Sequence, residues 1–573
     1  MRTLVLIPAL IAFTAATVLA QSEVYLSARA DGKGGTGAAA DPLNASTQAQ
    51  FDAAFAALKP NTTVHIGAGT YHTKGAASFK VQPNMKIRGA GMEVTKLIQD
   101  GTGTAHACVF EGNDVGGNEI EDLSIDCGFE NQRRVNGVVK CNANAIGLNG
   151  SHLAVRRCKV FNYGSPYDDE CGENFAVTMC QGPNDDGVDR VIEDCLFTGM
   201  SRLTTGCSVL TVSGGPLSSK VNVPSWSRGV VVRRNHFMGF HAACHGITMS
   251  GCQGAIVEDN YFEHFMGCCI YTDTWPLRDH VYQNNIMVDV NQAIFLAADT
   301  WDLVDIQIRG NVILLHDGFD IKTIDKGVVT TDIPHSLMVG SELQFRDMKI
   351  AGGSLKNEQA IFVTSVPSPT TFTYSTAKGG QSDPHDSAAG GYIRALHYGY
   401  TTPTPEGINV FSGNAPELHT LKNFVISGNV IRPYSSNGKN RIPSTGIRVC
   451  GAENCRIFNN TVFDSGNHGG LIVASTKKFK SSVICRENYN SDNTPAPPRD
   501  DKGNLVAGGR PALPLPGNVG GMRLLYSVDA AGPAGDHHFA GKRGDYALAA
   551  DYLYIYTGDG TKHLWKRIAL GDY

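Results

Sequence analysis

The feature of this sequence that most constrains its fold is a short motif that recurs with an asparagine at a fixed place. Apolar residues alternate with polar ones before the asparagine, and apolar residues follow it, as in VVRRNHF, IVEDNYF and VYQNNIM. The first four copies have spacings of 25, 25 and 26 residues, at Asn235, Asn260, Asn285 and Asn311. After an interval of 118 residues, the series resumes at Asn429, Asn460 and Asn488. A unit of this length cannot bury its apolar face alone, so the repeats must stack on one another.

Each repeat predicts two short strands joined by a tight turn, which is one rung of a β-solenoid. Leucine-rich repeats have a similar period, but their leucine consensus is absent here. Asparagine suits the turn because it tolerates the left-handed backbone conformation, and because its amide can bond to the asparagines of neighbouring rungs. The pattern therefore predicts an all-β fold, a right-handed parallel β-helix with its asparagines stacked at one corner.

The N-terminal part of the chain carries a second signature. The segments NTTVHIGAGTYHTKG (61–75) and MKIRGAGMEVTKLIQD (85–100) resemble the opening strands of the pectate-lyase-like superfamily. The resemblance covers residues 21–315 and 401–492, and it implies the same right-handed parallel β-helix. It implies a polysaccharide partner less directly, because that superfamily includes lyases, hydrolases, epimerases, tailspikes and inert scaffolds.

A helix is predicted just before these strands, in the segment STQAQFDAAFAAL. Thr47 is its candidate N-cap, and Gln50 completes the capping-box pattern three residues later. Such a helix would cover the open end of the solenoid and block edge pairing there.

The chain is divided where the repeat period breaks. Residues 316–400 predict an inserted small β module, and residues 401–492 predict the final rungs. A Pro/Gly-rich linker is predicted at 493–520, followed by a small C-terminal β module at 521–573. Both modules resemble accessory β modules of tail-fibre-like proteins. For the C-terminal module, three interpretations stay open: carbohydrate binding, formation of a homo-oligomer, and a folding cap.

Residues 1–20 have the pattern of a signal peptide. Arg2 supplies the positive end, an apolar stretch follows, and small residues precede the predicted cleavage after Ala20. An uncleaved membrane anchor is the alternative, although the stretch is short for a spanning helix. We therefore expect a secreted, periplasmic or cell-surface protein with no membrane span in the mature chain. The net charge of −5 and the scattered basic residues argue against a nucleic-acid partner.

The sequence has 15 cysteines, many of them in strand-like apolar runs. Cys158 and Cys195 take the place of the asparagine in weaker, earlier copies of the repeat. No CxxC pair is followed by a second one, which argues against a zinc site. An odd number leaves at least one thiol unpaired, and we expect stacked core cysteines with a few disulfide bridges.

The candidate catalytic residues come from two consecutive rungs. Asp273 and Asp299 lie one rung apart, and each begins an Asp-Thr-Trp sequence that ends at Trp275 or Trp301. Carboxylates can act as acid and base, and indole rings can stack on sugar faces, so we predict the tryptophans as substrate-binding residues. The alternative is a repeated structural turn, in which the aspartates cap backbone amides and the tryptophans seal the solenoid.

The preceding rung adds histidines to this face. His245, followed by a glycine, resembles part of the Gly-His-Gly element of the polygalacturonase family, but the aspartate pair and the Arg-x-Lys element of that family are missing. We predict His245 and Arg278 as further catalytic residues, and His241 and His264 as further substrate-binding residues.

Two acidic loops predict a calcium site, because hard oxygen ligands are those that Ca²⁺ prefers. The predicted ligands are Asp168, Asp169, Asp185, Asp186 and Asp189. Neither loop matches the EF-hand pattern, and solvated acids in turns are the alternative interpretation. In pectate-lyase-like enzymes calcium bridges substrate uronates, so the resemblance implies Ca²⁺ as the one candidate cofactor.

These observations favour an exported protein that acts on polysaccharide. We predict a polysaccharide lyase or a glycoside hydrolase with an acidic, uronate-type substrate. The alternative is a non-enzymatic surface adhesin or appendage protein, in which the modules rather than the stacked Asp, Trp and His residues carry the function.

Overall fold

A computed structural model gives the fold. The structure describes residues 22–100, 106–113, 115–128, 134–135, 138–139, 142–164, 175–180, 187–198, 208–214, 226–242, 245–272, 275–298, 302–381, 384–395, 404–411, 420–434, 441–463, 470–474, 483–490, 496 and 498–500, with four further strands between 524 and 569. The signal-peptide region and most of the predicted linker lie outside these residues. No helix in these ranges is long and apolar enough to cross a membrane.

Three long sheets of parallel strands wind around one hydrophobic core, and together they form the right-handed parallel β-helix that the repeat predicted. The first sheet has 19 strands and precedes the asparagine corner. Its strands are Ser22–Ser27, Leu43–Asn44, Thr62–Ile66, Lys86–Gly89, Glu119–Glu121, Leu153–Arg156, Val188–Glu193, Ser227–Arg233, Cys252–Gln253, Ile256–Glu258, Leu277–Arg278, Val281–Gln283, Leu303–Val304, Gln307–Arg309, Leu421–Lys422, Val425–Ser427, Ala452–Glu453, Cys455–Phe458 and Val483–Arg486.

The second sheet has 12 strands and follows the asparagine corner. Its strands are Gly69–Thr73, Thr95–Gln99, Ser124–Asp126, Lys159–Phe161, Leu196–Phe197, His236–Ala242, Tyr261–Phe265, Ile286–Val290, Val312–Leu315, Val430–Pro433, Thr461–Val462 and Tyr489–Asn490. The third sheet has 10 strands and closes each rung. Its strands are His106–Gly112, Asn142–Asn149, Phe175–Cys180, Ser208–Ser213, His245–Ser250, Cys268–Thr272, Gln292–Ala297, Glu406–Phe411, Thr445–Cys450 and Leu471–Ala474.

The asparagine ladder is confirmed, and its side chains are buried at one corner. The Oδ1 atom of Asn260 accepts hydrogen bonds from the backbone N and the Nδ2 of Asn235, both at 3.0 Å. Its own Nδ2 donates to Val232 O at 2.9 Å and to Asn285 Oδ1 at 3.0 Å. The ladder also crosses the long interval, because Asn311 Nδ2 donates to Asn429 Oδ1 at 2.9 Å.

The prediction that the ladder asparagine itself adopts the left-handed backbone conformation was wrong. The left-handed backbone conformation falls on the residue before each ladder asparagine, with φ near 55° at Asp259 and Asn284 and 65° at Gly310. The asparagine itself follows this bend and enters the next strand. Its preference for the position therefore comes from the hydrogen bonds of its amide and not from its tolerance of positive φ.

The predicted capping helix is present at Gln48–Ala56, and a short 3₁₀ helix follows at Gly75–Ala77. Thr47 Oγ1 accepts from Gln50 N at 3.3 Å, and Gln50 Oε1 accepts from Thr47 N at 3.0 Å, so both halves of the capping box form. Phe51 and Phe55 are buried, and the ring of Phe55 lies 4.7 Å from that of Phe79. The helix thereby covers the first rungs of the core.

Residues after the Val312–Leu315 strand leave the solenoid and form an antiparallel sheet of eight strands, here called the inserted module. Its strands are Phe319–Asp325, Val328–Thr331, Glu342–Arg346, Lys349–Gly352, Ala360–Ser368, Thr371–Ser375, Ser387–Ala389 and Tyr392–Ala395. The module has a hydrophobic cluster of its own, to which the solenoid contributes Met266. The rungs on either side of the module are direct neighbours, because Gln292–Ala297 pairs in parallel with Glu406–Phe411.

Replacing about residues 316–400 with a short Gly/Ser bridge should leave a folded β-helix, because the module contributes no rung strand between Asn311 and Asn429. Exposure of Met266 should cost about 2 kcal/mol of unfolding free energy. Circular dichroism and thermal unfolding of the full chain and the bridged chain would measure this. The same bridge combined with Met266→Ser is the matched control for the exposed side chain. A bridged chain that yields no soluble protein in either form would contradict the prediction.

The remaining strands are minor. Arg134–Val135 pairs with Val138–Val139, and a separate four-stranded sheet contains Leu524–Leu525, Tyr546–Ala549, Tyr552–Tyr556 and Trp565–Ala569.

The expectation of core cysteines is met by thiols that are both buried and free. These are Cys108, Cys127, Cys158, Cys195, Cys252, Cys268, Cys455 and Cys485. Burial raises the pKa of the Cys252 thiol to about 12, which keeps it protonated and inert.

Candidate acid–base site on the third sheet

The third sheet carries, on the face turned away from the core, a row of side chains that repeats from rung to rung and is buried throughout. Two successive residues in each strand point into the core, and the residue before them points outward. At Gly246 an added Cβ would lie 2.8 Å from the buried Phe262 ring, so this position faces inward like Ile247. The outward residues, here called the Glu406 column, are His245, Cys268, Gln292, Glu406 and Thr445. The register pairs the last four in sequence, and Cys268 N donates to His245 Nδ1 at 3.2 Å.

Glu406 is the most unusual member of this column, because it is a carboxylic acid with only 5% of its surface exposed. Asn409 Nδ2 donates to its Oε2 at 2.5 Å, and Gln292 Nε2 donates to the same oxygen at 3.4 Å. Arg448 Nη1 lies 3.5 Å from its Oε1. Burial raises the pKa of the Glu406 carboxyl above its usual value, and its three polar neighbours offset this only in part. Glu406 therefore holds its proton at a higher pH than an ordinary glutamate.

The neighbours of Glu406 are themselves held in place. Cys268 Sγ donates to Gln292 Oε1 at 3.1 Å, which directs the amide nitrogen of Gln292 towards Glu406. Arg448 is partly exposed, and its guanidinium lies 5.8 Å from the centre of the Phe411 ring. The Oδ1 atom of Asn409 is buried and has no hydrogen-bond partner among the residues that the structure describes. A buried acceptor of this kind is costly, and a bound hydroxyl group would satisfy it.

Aromatic rings continue the site towards the earlier rungs. The His245 ring stacks on Tyr271 with centroids 4.3 Å apart and planes at 11°, and Tyr271 lies 6.0 Å from Phe295 at 7°. These rings turn their faces to one another across successive rungs. Because His245 Nδ1 accepts from Cys268 N, the proton of the neutral ring belongs on Nε2. His245 is thus oriented as a donor through Nε2.

The structure distributes the other predicted residues over the molecule. Arg278 is exposed on the first sheet, with its guanidinium 5.9 Å from the Trp226 ring. His264 lies on the second sheet, where its Nδ1 is 2.9 Å from Asp289 Oδ2. Trp275 is half-buried. The predicted residues Asp273, Asp299 and Trp301, and the side chain of His241, lie outside the described residues.

The register bears on how Asp273 and Asp299 relate to one another. In the third sheet Tyr271 pairs with Phe295, and in the first sheet Leu277 pairs with Leu303. The chain therefore takes two more residues to pass from Phe295 to Leu303 than from Tyr271 to Leu277. In the sequence, Asp273 and Asp299 stand at the same distance before Leu277 and Leu303, so their spacing matches the register of the first sheet and not that of the third.

For the predicted calcium ligands, only Asp189 lies in the described part of the chain. Its side chain is 60% exposed, and its Oδ2 is 3.1 Å from His152 Nδ1. Asp168, Asp169, Asp185 and Asp186 lie outside the described residues. Within the described ranges, no group of three or more His, Cys, Asp or Glu residues could hold a metal ion. The calcium site therefore stays a prediction, because four of its five ligands lie outside the described residues.

Sequence reasoning missed Glu406, Asn409, Gln292 and Arg448. A signal was present, because an outward residue precedes a Gly-Ile pair at His245, Glu406 and Thr445. That pattern aligns the three residues in one column once the interval after Asn311 is recognised as an insertion.

Comparisons with known proteins find only weak similarity. No protein-family model matches the sequence, and no curated protein matches it. A surface adhesin of Streptococcus pneumoniae, PfbA, is 10% identical over 91% of this chain and 95% of its own, with a TM-score of 0.40. A family 28 exopolygalacturonase of Yersinia enterocolitica is 9% identical over 85% and 79%, with a TM-score of 0.39. A mannuronic acid-specific family 6 lyase from human gut microbiota is 12% identical over 82% and 79%, with a TM-score of 0.37. These values transfer neither an activity nor a site, and the fold assignment depends on the three parallel sheets themselves.

Proposed function

We propose that the chain is an exported polysaccharide-active enzyme, a glycoside hydrolase or a polysaccharide lyase, whose proton-transferring residue is Glu406. The observation that supports this is a buried carboxyl group of raised pKa that faces outward from the third sheet among fixed hydrogen-bond donors. A purely structural glutamate on an outer sheet surface has no need of such an environment, whereas a general acid does.

The neighbouring residues define what the site can do. In hydrolysis, Glu406 would donate its proton to the glycosidic oxygen, and a second carboxylate would assist on the sugar ring. In elimination, Glu406 would be the base that removes the C5 proton next to the uronate carboxylate, while the C4–O bond breaks, a C4–C5 double bond forms and the departing oxygen takes a proton from solvent. Arg448 is the cation placed to neutralise the uronate carboxylate. Asn409 would accept a hydrogen bond from a sugar hydroxyl through its Oδ1, which has no partner within the described part of the chain. In both reactions, the row of outward side chains orients an extended chain along the solenoid axis.

We assign the second carboxylate to the loops that leave the third sheet, at Asp273 or Asp299. If these residues take part, Asp273→Asn and Asp299→Asn should each remove most of the turnover and leave the thermal transition nearly unchanged. Steady-state rates and thermal unfolding of each variant would measure this. If the two aspartates only cap turns, the same substitutions should lower the melting temperature and spare the activity.

A substrate screen tests the proposal as a whole. The chain would be incubated with uronate-containing and neutral polysaccharides, and both the ultraviolet absorbance of the double bond in unsaturated uronate and the formation of reducing ends would be followed. Both signals together indicate a lyase, and reducing ends without the absorbance indicate a hydrolase. Binding of a polysaccharide without either signal would overturn the enzymatic proposal and favour the adhesin alternative.

A further inference from the structure

The first sheet has a cleft on the face turned away from the core, at the N-terminal end of the solenoid. The cleft crosses three neighbouring strands and has a volume of about 290 Å³. The register aligns Tyr25 with His65 and His65 with Arg88, and these three side chains form a polar wall of the cleft. Glu406 belongs to the third sheet, so the cleft is separate from the candidate acid–base site.

Small residues contribute the next part of the lining. Ser27, Gly67 and Ala90 each follow a residue of the polar wall by two positions, and residues two apart in an extended chain point to the same face. The loop after the first strand adds Ala39 and Pro42. The cleft therefore combines small and apolar groups with the larger side chains of the polar wall.

The loop that contributes Pro42 is held in place by its own hydrogen bonds. Arg29 Nη1 donates to Pro42 O at 2.8 Å, and Arg29 Nη2 lies 2.7 Å from Asp31 Oδ2. Tyr25 N donates to Gly37 O at 2.9 Å, which ties the loop to the strand that begins the polar wall. Because these groups are already fixed, a ligand loses little free energy to ordering them when it binds.

The polar wall is fixed as well, and its charge is balanced. The His65 ring stacks on Tyr25 with centroids 4.5 Å apart and planes at 11°, and His65 Nε2 bonds to Glu23. Arg88 Nε lies 2.6 Å from Glu121 Oε1, and the Arg88 side chain is 43% exposed. Its guanidinium carries more N–H donors than this ion pair uses. An anionic ligand would compete with Glu121 for the charge of Arg88, whereas a hydroxyl oxygen needs only a remaining N–H.

We propose that this cleft binds a neutral sugar residue of a polysaccharide. A pyranose ring has apolar faces made of C–H groups and an edge of hydroxyl groups. Pro42 and Ala90 match the faces, because the burial of apolar surface is favourable. Arg88 and His65 match the edge, because both can form hydrogen bonds to hydroxyl groups. Neighbouring strands lie about 4.8 Å apart, so three strands span about 10 Å and suit a short stretch of a sugar chain.

The cleft does not depend on the proposed enzymatic function. A polysaccharide enzyme and a polysaccharide-binding adhesin would both gain from a second contact with the same chain, because linked binding sites raise the overall affinity.

Isothermal titration calorimetry of the full chain tests the cleft. The probes are hexasaccharides of glucose, mannose, galactose and N-acetylglucosamine, with a uronate hexasaccharide as the anionic comparison. At least one neutral probe should bind the parent chain. Ser27→Phe and Ala90→Phe fill the cleft, and each should weaken that binding by about tenfold or more. Because Ala90 is exposed, the second variant tests the cleft even if the first does not fold.

Ser427→Phe is the matched control for these variants and should keep the affinity of the parent. Like Ser27, Ser427 is half-buried and ends a strand of the first sheet, but it lies on a rung near the other end of the solenoid. Glu406→Gln should also keep this affinity. The assignment of Glu406 is judged by turnover and the cleft by binding, so the two can fail separately.

Three results would overturn the proposal. They are a parent chain that binds none of the neutral probes, binding that both filled variants retain, and a loss that is confined to the uronate probe or equally large in Ser427→Phe.

Discussion

Glu406→Gln should reduce turnover by about 10²- to 10⁴-fold, which is the contribution typical of a general acid or base. The thermal transition should change little, because glutamine has the same shape and can still accept from Asn409. Rates on the best substrate of the screen and thermal unfolding would measure the two effects. Glu258→Gln is the matched control, since Glu258 lies on the first sheet and accepts from Gln283 at 2.6 Å. Equal losses in both variants, or no loss in Glu406→Gln, would contradict the assignment.

The raised pKa of Glu406 also gives the sign of two pH effects. A carboxyl group whose pKa is raised on folding binds its proton more tightly in the native state, so its contribution to stability declines as pH rises through the unfolded and then the folded pKa. The free energy of unfolding of Glu406→Gln, relative to that of the parent, should therefore be most favourable at higher pH. If Glu406 acts as the acid of a hydrolase, turnover should also decline as pH rises through its folded pKa. If it acts as the base of a lyase, turnover should instead rise there.

Asn260→Leu should lower the free energy of unfolding by about 3 kcal/mol, because leucine leaves several buried partners unsatisfied at once. The groups that lose a partner are the backbone N and the Nδ2 of Asn235 and the carbonyl of Val232, whereas Asn285 Oδ1 keeps the bond from the backbone N of residue 260. Denaturant unfolding followed by circular dichroism would measure the loss.

Gln253→Leu is the matched control for this substitution. Gln253 lies on the first sheet, and its Nε2 donates to Asp279 Oδ2 at 3.1 Å in an exposed position. This change should cost little, since exposed hydrogen bonds can be replaced by water. If Asn260→Leu is no more damaging than the control, the ladder does not stabilise the solenoid.

The fold could be predicted because every repeat meets the same physical requirement. A buried amide at a corner needs a partner above and below, and only a residue such as Asn260 provides both, so its spacing reveals the rung length. The capping box at Thr47 could be predicted for the same reason, since its geometry is local. The left-handed residue was misplaced by one position, because φ depends on the backbone path of the bend, which the pattern of side chains does not fix.

The site could be predicted only in part, because its residues meet across rungs rather than along the chain. His245 was found since a glycine follows it, and the structure places it in the same column as Glu406. Glu406 itself was missed because it follows the insertion, where the period that aligned the earlier rungs no longer applies. Its raised pKa also depends on its burial in the folded sheet, and no local pattern reveals that burial.

The interval between Asn311 and Asn429 has a consequence for the order in which the chain folds. Neighbouring rungs elsewhere close segments of about 25 residues, whereas this contact closes 118 residues. The entropy of loop closure makes that contact less favourable by about 1.4 kcal/mol if the segment is unstructured. The inserted module reduces this penalty if it folds first, because it brings the ends of the interval together. We therefore expect growth of the solenoid from its N-terminal rungs to pause at Asn311 until the module has formed, and then to resume with the strand that carries Glu406.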